Sequence, residues 1–221
     1  MCGRYRLTRA DKVASYFEAE AAEDLLPRYN IAPSQQIAAI RQVADGRVIS
    51  ALRWGLVPFW AKDISIGYKM INSRSESVLQ KPAFRDCFQQ RRCLIPADGF
   101  YEWKKAGKQK QPFHFGMKDG SLFGLAGIWD RWKSPQGTWI ESCSILTTTA
   151  NPMVRDVHDR MPVILHRNHY DTWLTAPAAE AARLGELLIP FEAELMTRYA
   201  VSTLVNRPQN DGADCAAPLV I

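Results

Sequence analysis

The stretch RRCLIPADGFYEWKK, residues 91–105, decides the fold, because a strand-like apolar run there is followed at once by an aromatic one. Three more strand-like stretches come after it, at residues 111–117, 121–132 and 138–149. Turn residues separate these stretches, namely Ala106-Gly107, Asp119-Gly120 and Pro135-Gln136-Gly137. Such regular spacing predicts an antiparallel sheet that is wrapped into a barrel or into a core between two sheets.

The rest of the chain adds helices and one clear hairpin. Residues 37–54 hold two apolar-rich runs that meet at Asp45-Gly46, which is a strong hairpin signal. Residues 7–20 predict a helix with its apolar side chains on one face. The other predicted elements are a short helix at 83–90, a helical turn at 150–158, a helix at 178–188 and strands at 161–166 and 198–205. The predicted fold class is therefore α+β, mainly an antiparallel, barrel-like β core with flanking helices, in a single domain over residues 1–221.

The composition excludes several classes of protein. With 47% hydrophobic and 23% charged residues among 221, the chain is typical of a soluble globular protein. No apolar run approaches the roughly 20 residues of a membrane span, and no secretory signal opens the chain. The five scattered cysteines argue against disulfides and for a reducing, cytoplasmic compartment. Only four histidines are present, and the pair His166 and His169 has no acidic or cysteine partner at ligand spacing, so we expect neither a metal site nor a cofactor.

The charge and two loops favour a nucleic-acid partner. The net charge is +5 and the pI is near 9.0, which suits an anionic ligand. In RWGLVPFW, residues 53–60, Trp60 has the position of an aromatic residue at a loop tip, and such residues stack on unpaired bases. The loop RYNIAPSQQ, residues 28–36, adds Asn30 and Pro33 to the same predicted surface.

The chain opens with MCGRY, which places Cys2 directly behind the initiator methionine. Cysteine is small enough to permit removal of Met1, and that cut leaves Cys2 with a free α-amine beside its own thiol. Such an aminothiol forms a Schiff base with an aldehyde and then closes a thiazolidine ring. The alternative is that residue 2 belongs to a frayed terminus without a role.

The segment KMINSRSES, residues 69–77, alternates polar side chains after an apolar start. In an extended segment, Asn72, Arg74 and Glu76 would all point to one face. A half-exposed edge strand with a polar outer face explains the same pattern, so the segment alone does not decide between a site and a surface.

Two further residues suit proton transfer. Glu102 lies between Tyr101 and Trp103, and apolar surroundings raise the pKa of a carboxyl towards neutrality. His158 has Asp156 and Asp159 close by in sequence, and carboxylates fix the tautomer of an imidazole. The alternatives are an outward-facing glutamate paired with a lysine and a histidine that is satisfied within a turn.

Taken together, the motifs of the chain resemble the SRAP family, the family of the SOS response-associated peptidase fold, which includes abasic-site processing proteins. The matches run in order from residue 2 to residue 211. They are MCGRY (1–5), RYNIAPSQ (28–35), WGLVPFW (54–60), INSRSE (71–76), PADGFYEWKK (96–105), HDRMPVIL (158–165) and VSTLVNRPQND (201–211).

The resemblance implies a role for each matched residue. Cys2 becomes the mature N-terminus and the crosslinking nucleophile, Asn72 orients its amine or the opened sugar, and Glu102 transfers protons. His158 acts at the sugar hydroxyl. The implied DNA-binding residues are Arg4 and Arg74 at phosphates, Pro33 and Trp60 at bases, and Asn30 and Trp103 beside them.

The implied activity is covalent capture of abasic sites in single-stranded DNA as a thiazolidine crosslink, with weak lyase cleavage as a side reaction. The partner is single-stranded DNA, including junctions with duplex, and the protein is expected to be a monomer that joins the nucleoid when bound to DNA. Two alternatives remain open. One is a non-catalytic reader of single-stranded or modified DNA, and the other is a thiol peptidase that removes its own Met1.

Overall fold

The structure is a computed structural model that describes residues 2–21, 24–107 and 109–219, with residue 106 described by its backbone only. Among the described elements, strands outnumber helices and hold more residues. In chain order the strands are β1 Tyr5–Leu7, β2 Ala19–Ala21, β3 Arg28–Ile31, β4 Gln36–Val43, β5 Gly46–Trp54, β6 Asn72–Arg74, β7 Arg92–Ala97, β8 Gly99–Ala106, β9 Gln109–Met117, β10 Phe123–Lys133, β11 Trp139–Thr149, β12 Arg160–Pro162, β13 Ile164–Leu165 and β14 Met196–Ala200.

The helices are short and lie outside the strands. The α-helices are α1 Val13–Phe17, α2 Pro82–Gln90, α3 Pro152–Arg155 and α4 Tyr170–Thr175. The 3₁₀ turns are Ala10–Lys12, Ile64–Lys69, Ser75–Ser77, Arg167–His169, Ala178–Leu187, Ala193–Leu195, Thr203–Asn206 and Ala213–Cys215. Within the described ranges, no helix has the length and apolar character that crossing a bilayer requires.

The strands form a closed barrel and a second, five-stranded sheet. In the barrel, neighbouring strands follow the order β11-β10-β7-β4-β5, and β5 then pairs back in parallel with β11. The second sheet has the order β14-β9-β8-β1-β3 and is antiparallel throughout. The predicted α+β class with an antiparallel, barrel-like β core is confirmed.

The hydrophobic core joins the barrel to the second sheet. Tyr5 of β1 and Trp54 of β5 are both fully buried, and their ring centroids lie 5.5 Å apart in an edge-to-face contact. In the second sheet, the rings of Phe100 and Phe115 stack with centroids 5.1 Å apart. Each large apolar side chain buried in this way stabilises the fold by about 1.5–3 kcal/mol. The quoted stretch 91–105 supplies β7 to the barrel and β8 to the sheet, so it connects the two.

The N-terminal strand is held by one buried carboxylate at the turn between β7 and β8. Asp98 accepts hydrogen bonds from the backbone N–H groups of Thr8 and Arg9 at 2.6 and 2.8 Å. It also accepts one from Nε of Arg6 at 2.9 Å. Because β1 lies between β8 and β3, these bonds fix the end of β1 against the connection between β7 and β8.

Gly99, the first residue of β8, makes room for a buried ring. A Cβ atom at Gly99 would lie 1.9 Å from Nε2 of His114, which is closer than any contact permits. His114 is 1% exposed and stacks on Tyr199 with centroids 4.6 Å apart. This close approach of the His114 ring therefore requires a glycine at position 99.

Three predicted elements differ from the structure. The helix predicted at 7–20 ends at Phe17, since Glu18 takes a left-handed conformation with φ of 53° and the chain continues as β2. The helix predicted at 178–188 is a run of 3₁₀ turns, and its buried residues Ala181 and Leu184 follow the three-residue repeat of that helix. The strand predicted at 198–205 ends at Ala200.

A fourth difference lies in the segment 69–77. Strand β6 ends at Arg74, and Glu76 lies in the 3₁₀ turn that follows, so Glu76 does not share a strand face with Asn72 and Arg74. Its carboxylate instead receives two hydrogen bonds from Arg160, at 2.6 and 2.9 Å.

Candidate functional site

The candidate site is a pocket where the N-terminal strand, the β8–β9 hairpin and two loops meet. The residues that line the pocket are Arg4, Glu102, Trp103, Lys110, His158 and Asn206. Four of these residues were predicted from the sequence, namely Arg4, Glu102, Trp103 and His158. The structure brings them together although they are far apart in the chain.

Cys2 lies buried beside this pocket and is held by Asn72. The side-chain amide of Asn72 donates to the carbonyl oxygen of Cys2 at 2.8 Å. The pairing of β6 with β11 places Asn72 there, in register with Ile145. The side-chain oxygen of Asn72 is buried and accepts no hydrogen bond from the described residues. A buried acceptor without a donor is uncommon in folded proteins.

The Cys2 thiol is protonated at neutral pH. Burial raises its pKa to about 12, and the negative charge of the nearby Glu102 adds to the rise. The thiol contacts the carbonyl oxygen of Arg4 at 3.7 Å. A base must therefore take its proton before the sulfur acts as a nucleophile.

Glu102 points into the protein from β8 and is 3% exposed. The alternative of an outward-facing glutamate is therefore wrong. Burial raises the pKa of its carboxyl to about 7, from an ordinary value of 4.5. A carboxyl with this pKa is present in both protonation states at neutral pH, so it can give and take protons there. We refer to Cys2, Asn72 and Glu102 as the Cys2 cluster.

His158 is half-buried at the edge of the pocket, in the loop before β12. Its Nδ1 atom lies 3.0 Å from the backbone N–H of Arg160 and 3.0 Å from the exposed carboxylate of Asp159. In the neutral ring, Nδ1 accepts from the N–H of Arg160 and Nε2 carries the proton, whereas a protonated ring pairs through Nδ1 with the Asp159 carboxylate. Burial lowers the pKa of the imidazole, which favours this neutral form.

The guanidinium of Arg4 is held by residues from the beginning and from near the end of the chain. One of its terminal nitrogens donates to Oδ1 of Asn30 at 3.0 Å and to the carbonyl oxygen of Val205 at 2.8 Å. The guanidinium lies 5.9 Å from the ring centroid of Trp103. The indole of Trp103 in turn donates to the side chain of Asn206 at 2.7 Å. Arg4 and Trp103 therefore form one wall of the pocket.

Asn30 supports this wall from the interior. It is fully buried, and its amide nitrogen donates to the carbonyl oxygens of Val205, Arg207 and Asn210 at 3.2, 3.0 and 2.6 Å. With no exposed surface, Asn30 does not offer the direct DNA contact that the sequence predicted. Its side chain instead positions Arg4 and the segment after β14.

Comparison with known proteins identifies the family of the chain. The sequence profile of the family described as SOS response associated peptidase (SRAP) matches residues 1–208. The chain belongs to the SRAP family. The resemblance that the sequence motifs indicated is thereby confirmed.

Similar proteins align with nearly the whole chain. Abasic site processing protein YoaM of Bacillus subtilis is 44% identical over 219 residues, which cover 97% of this chain and 96% of the relative. Abasic site processing protein YoqW of the same organism is 42% identical, with coverage of 97% and 98%. A crystal structure of a protein from Bacteroides thetaiotaomicron is 26% identical, covers 99% of this chain and 100% of its own, and superposes with a TM-score of 0.88.

The other predicted DNA-binding residues of this SRAP chain lie outside the pocket lining. Trp60 is 49% exposed, beside Phe59 at 61% and Tyr68 at 62%. Pro33 is half-buried and Arg74 is exposed. Because Arg74 follows Asn72 by two strand residues, it lies about 7 Å farther along β6 from the Cys2 cluster. We refer to residues 58–69, which carry the three exposed aromatic rings, as the aromatic loop.

The aromatic loop is anchored to the barrel at both sides of Trp60. The backbone N–H of Phe59 donates to the carboxylate of Asp130 at 2.9 Å, and the indole of Trp132 donates to the carbonyl oxygen of Ala61 at 2.7 Å. The loop thus presents Trp60 on a fixed base, as an exposed aromatic side chain at a loop tip.

Two lining residues were not predicted from the sequence. Lys110 belongs to KKAGKQK, residues 104–110, which has the pattern of a solvated basic turn and gives no sign of a pocket. Asn206 belongs to the motif VSTLVNRPQND, residues 201–211, but the motif alone indicates no role for this residue. Its position depends on the contact with Trp103, which only the folded chain reveals.

Proposed function

We propose that this chain processes abasic sites in single-stranded DNA by covalent capture through Cys2 after removal of Met1. The names of YoaM and YoqW support abasic-site processing. The observation that carries the covalent mechanism is the contact between Asn72 and Cys2, next to a buried carboxyl with a pKa of about 7. An N-terminal thiol, an oriented amide and a neutral-range acid are the groups that thiazolidine formation requires.

The first step joins the Cys2 amine to the open sugar. An α-amine has a pKa of roughly 7.7–8.0, so part of it is neutral at cellular pH and attacks the C1 aldehyde. The carbinolamine that forms loses its hydroxyl as water when the Glu102 carboxyl supplies a proton. The product is an iminium ion and a Glu102 carboxylate. In this step Asn72 accepts a hydrogen bond from the amine or from a sugar hydroxyl, and its buried oxygen, which has no donor among the described residues, supports this role.

The second step closes the ring. The Glu102 carboxylate takes the proton of the Cys2 thiol, and the sulfur adds to the iminium carbon to give a neutral thiazolidine. Glu102 returns to its protonated state, and the net product of the sequence is the crosslink and one water. Holding amine, thiol and aldehyde together is worth about 7–11 kcal/mol, which makes positioning the largest contribution.

His158 and the arginines act on the rest of the nucleotide. With its proton on Nε2, His158 serves as a hydrogen-bond donor to the opened sugar hydroxyl. Arg4 and Arg74 contribute positive charge along the path of the strand, a sequence-independent interaction. The iminium stage also permits loss of a C2 proton and release of the 3′ phosphate, so weak lyase cleavage accompanies capture until the thiol closes the ring.

The pKa of the Cys2 thiol disfavours the peptidase alternative. A cysteine peptidase needs a thiolate, which requires a lowered thiol pKa, whereas burial raises that of Cys2 to about 12. The non-catalytic reader remains a rival that accounts for the basic charge and the exposed aromatic rings but gives Cys2 no role.

A denaturing gel tests the proposal. Purified protein is incubated with three matched single strands that carry an abasic site, an intact base, or a tetrahydrofuran analogue without an aldehyde. We expect a heat-resistant protein–DNA band with the natural abasic site only, and an intact mass that corresponds to loss of Met1. Binding to all three strands without any covalent band would support the reader instead, and adducts formed by protein that retains Met1 would exclude the amine mechanism.

A further inference from the structure

The mouth of the pocket carries a lysine that the proposed mechanism does not use. Lys110 is the second residue of β9, is exposed, and lines the pocket together with Glu102 and His158. Its partner in the β8–β9 register is Lys105, so a second positive charge lies directly across the hairpin.

The other cation in the pocket lining is already engaged within the protein. Arg4 donates through Nε and one terminal nitrogen to three oxygens, from Gly3, Asn30 and Val205, at distances of 2.8–3.3 Å. Lys110, by contrast, makes no ion pair or side-chain hydrogen bond with any residue that the structure describes. Its ammonium group is therefore available to a ligand at no loss of internal contacts.

We propose that Lys110 recognises a phosphate next to the abasic sugar, so that the pocket selects a ring-opened sugar within a DNA strand over uncharged aldehydes. This inference rests on the proposed function. The open sugar at Glu102 and His158 has a phosphodiester on each side, and a flexible ammonium at the pocket mouth suits a phosphate oxygen. Small neutral aldehydes react with the same aminothiol but offer Lys110 nothing to bind.

The experiment compares Lys110→Gln with Lys118→Gln. Lys118 directly follows β9 at its other end, is exposed, and lies beside a separate cleft, so it controls for the loss of one positive charge. Each protein reacts with single strands that hold one abasic site and either natural phosphodiesters or one neutral methylphosphonate, placed on the 5′ or the 3′ side. An uncharged small aldehyde serves as the substrate for chemistry alone.

We expect Lys110→Gln to slow crosslinking to the natural strand by about three- to tenfold and to lower the slope of log rate against log salt by about 0.7. At one methylphosphonate position, wild type should fall to the rate of Lys110→Gln, which itself should not change there. That position identifies the phosphate. Reaction with the small aldehyde and all reactions of Lys118→Gln should match wild type.

Three outcomes would overturn the inference. These are equal rates for Lys110→Gln and wild type on every strand, an equal loss in Lys118→Gln, and a loss of reaction with the uncharged aldehyde. The last would assign Lys110 to the chemistry rather than to phosphate recognition. A wild-type protein that forms no adduct with any abasic strand would instead refute the proposed function itself, so the two failures are distinguishable.

Discussion

The Cys2 cluster and the aromatic loop differ in what surrounds their side chains. Cys2 and Glu102 are almost fully buried, and burial is the main cause of their shifted pKa values. Phe59, Trp60 and Tyr68 are each about half or more exposed. The proposed chemistry thus depends on side chains that are shielded from water. The proposed DNA contacts instead depend on side chains that are exposed at the surface. Substitutions in the two regions should therefore affect different measurements.

The largest effect is expected for Cys2→Ala. The variant keeps an N-terminal amine but has no thiol, so the iminium forms and no thiazolidine follows. We expect heat-stable crosslinks to disappear, while borohydride reduction still traps an adduct and strand cleavage rises. A denaturing gel with and without borohydride measures both. Cys87→Ala, which removes another buried thiol, should crosslink normally. Full stable crosslinking by Cys2→Ala would contradict the role of the sulfur.

Glu102→Gln should slow crosslinking by about 10²–10⁴-fold while DNA binding is largely kept, because a proton donor and acceptor is lost. In the wild type the rate should fall below the amine pKa of roughly 7.7–8.0, where the amine is charged. It should also fall above pH about 7, where the Glu102 carboxyl loses its proton. When crosslinking rates are measured from pH 5 to 9, the decline of the rate on the alkaline side should be absent in the variant. Equal losses of binding and rate would make Glu102 a structural residue.

The same substitution should stabilise the fold at alkaline pH. The folded pKa of Glu102, about 7, lies above the ordinary value of 4.5, so the folded state retains a proton that the unfolded chain has lost between these values. The free energy of unfolding of the wild type therefore falls as pH rises through this window, by about 3 kcal/mol. Glutamine does not titrate. Urea unfolding should show a larger advantage of Glu102→Gln at pH 8.5 than at pH 4.5, and a constant difference would exclude the raised pKa.

The smallest effect is expected at the aromatic loop. Trp60→Ala should weaken binding to single-stranded DNA by about 1–3 kcal/mol through loss of stacking, and it should leave the crosslinking rate at saturating DNA unchanged. Trp139→Ala is the matched control, since Trp139 is similarly exposed, at 51%, but lies at the β10–β11 hairpin. There the Arg131 guanidinium lies 4.1 Å from the centroid of the Trp139 ring. Affinity measured by fluorescence anisotropy should change in the first variant only.

The strand pattern could be predicted from local sequence, whereas the Cys2 cluster was predicted only through the resemblance to the SRAP family. Turn residues between strand-like runs located β7 to β11. These features depend on residues close together in the chain, where side-chain alternation and turn chemistry decide the outcome.

The support of the pocket could not be predicted in this way. Asn30 was assigned to a surface because it lies in a polar loop motif, yet three carbonyl oxygens of a distant segment hold it in the interior. The sequence does not single out Lys110, because a lysine in a basic turn resembles any solvated charge. Both depend on contacts between elements that are far apart in sequence, and residue type alone does not encode those contacts.

The closing segment of the fold bears on when the protein becomes reactive. Asp211 accepts hydrogen bonds from the backbone N–H groups of Tyr29 and Asn30 at 2.6 and 2.7 Å, and the preceding residues complete the wall beside Arg4. A growing polypeptide on the ribosome therefore exposes its amino end long before the pocket around it exists. The wall beside Arg4 can therefore form only after translation has passed residue 211, and the proposed capture of abasic sites would have to wait for that point.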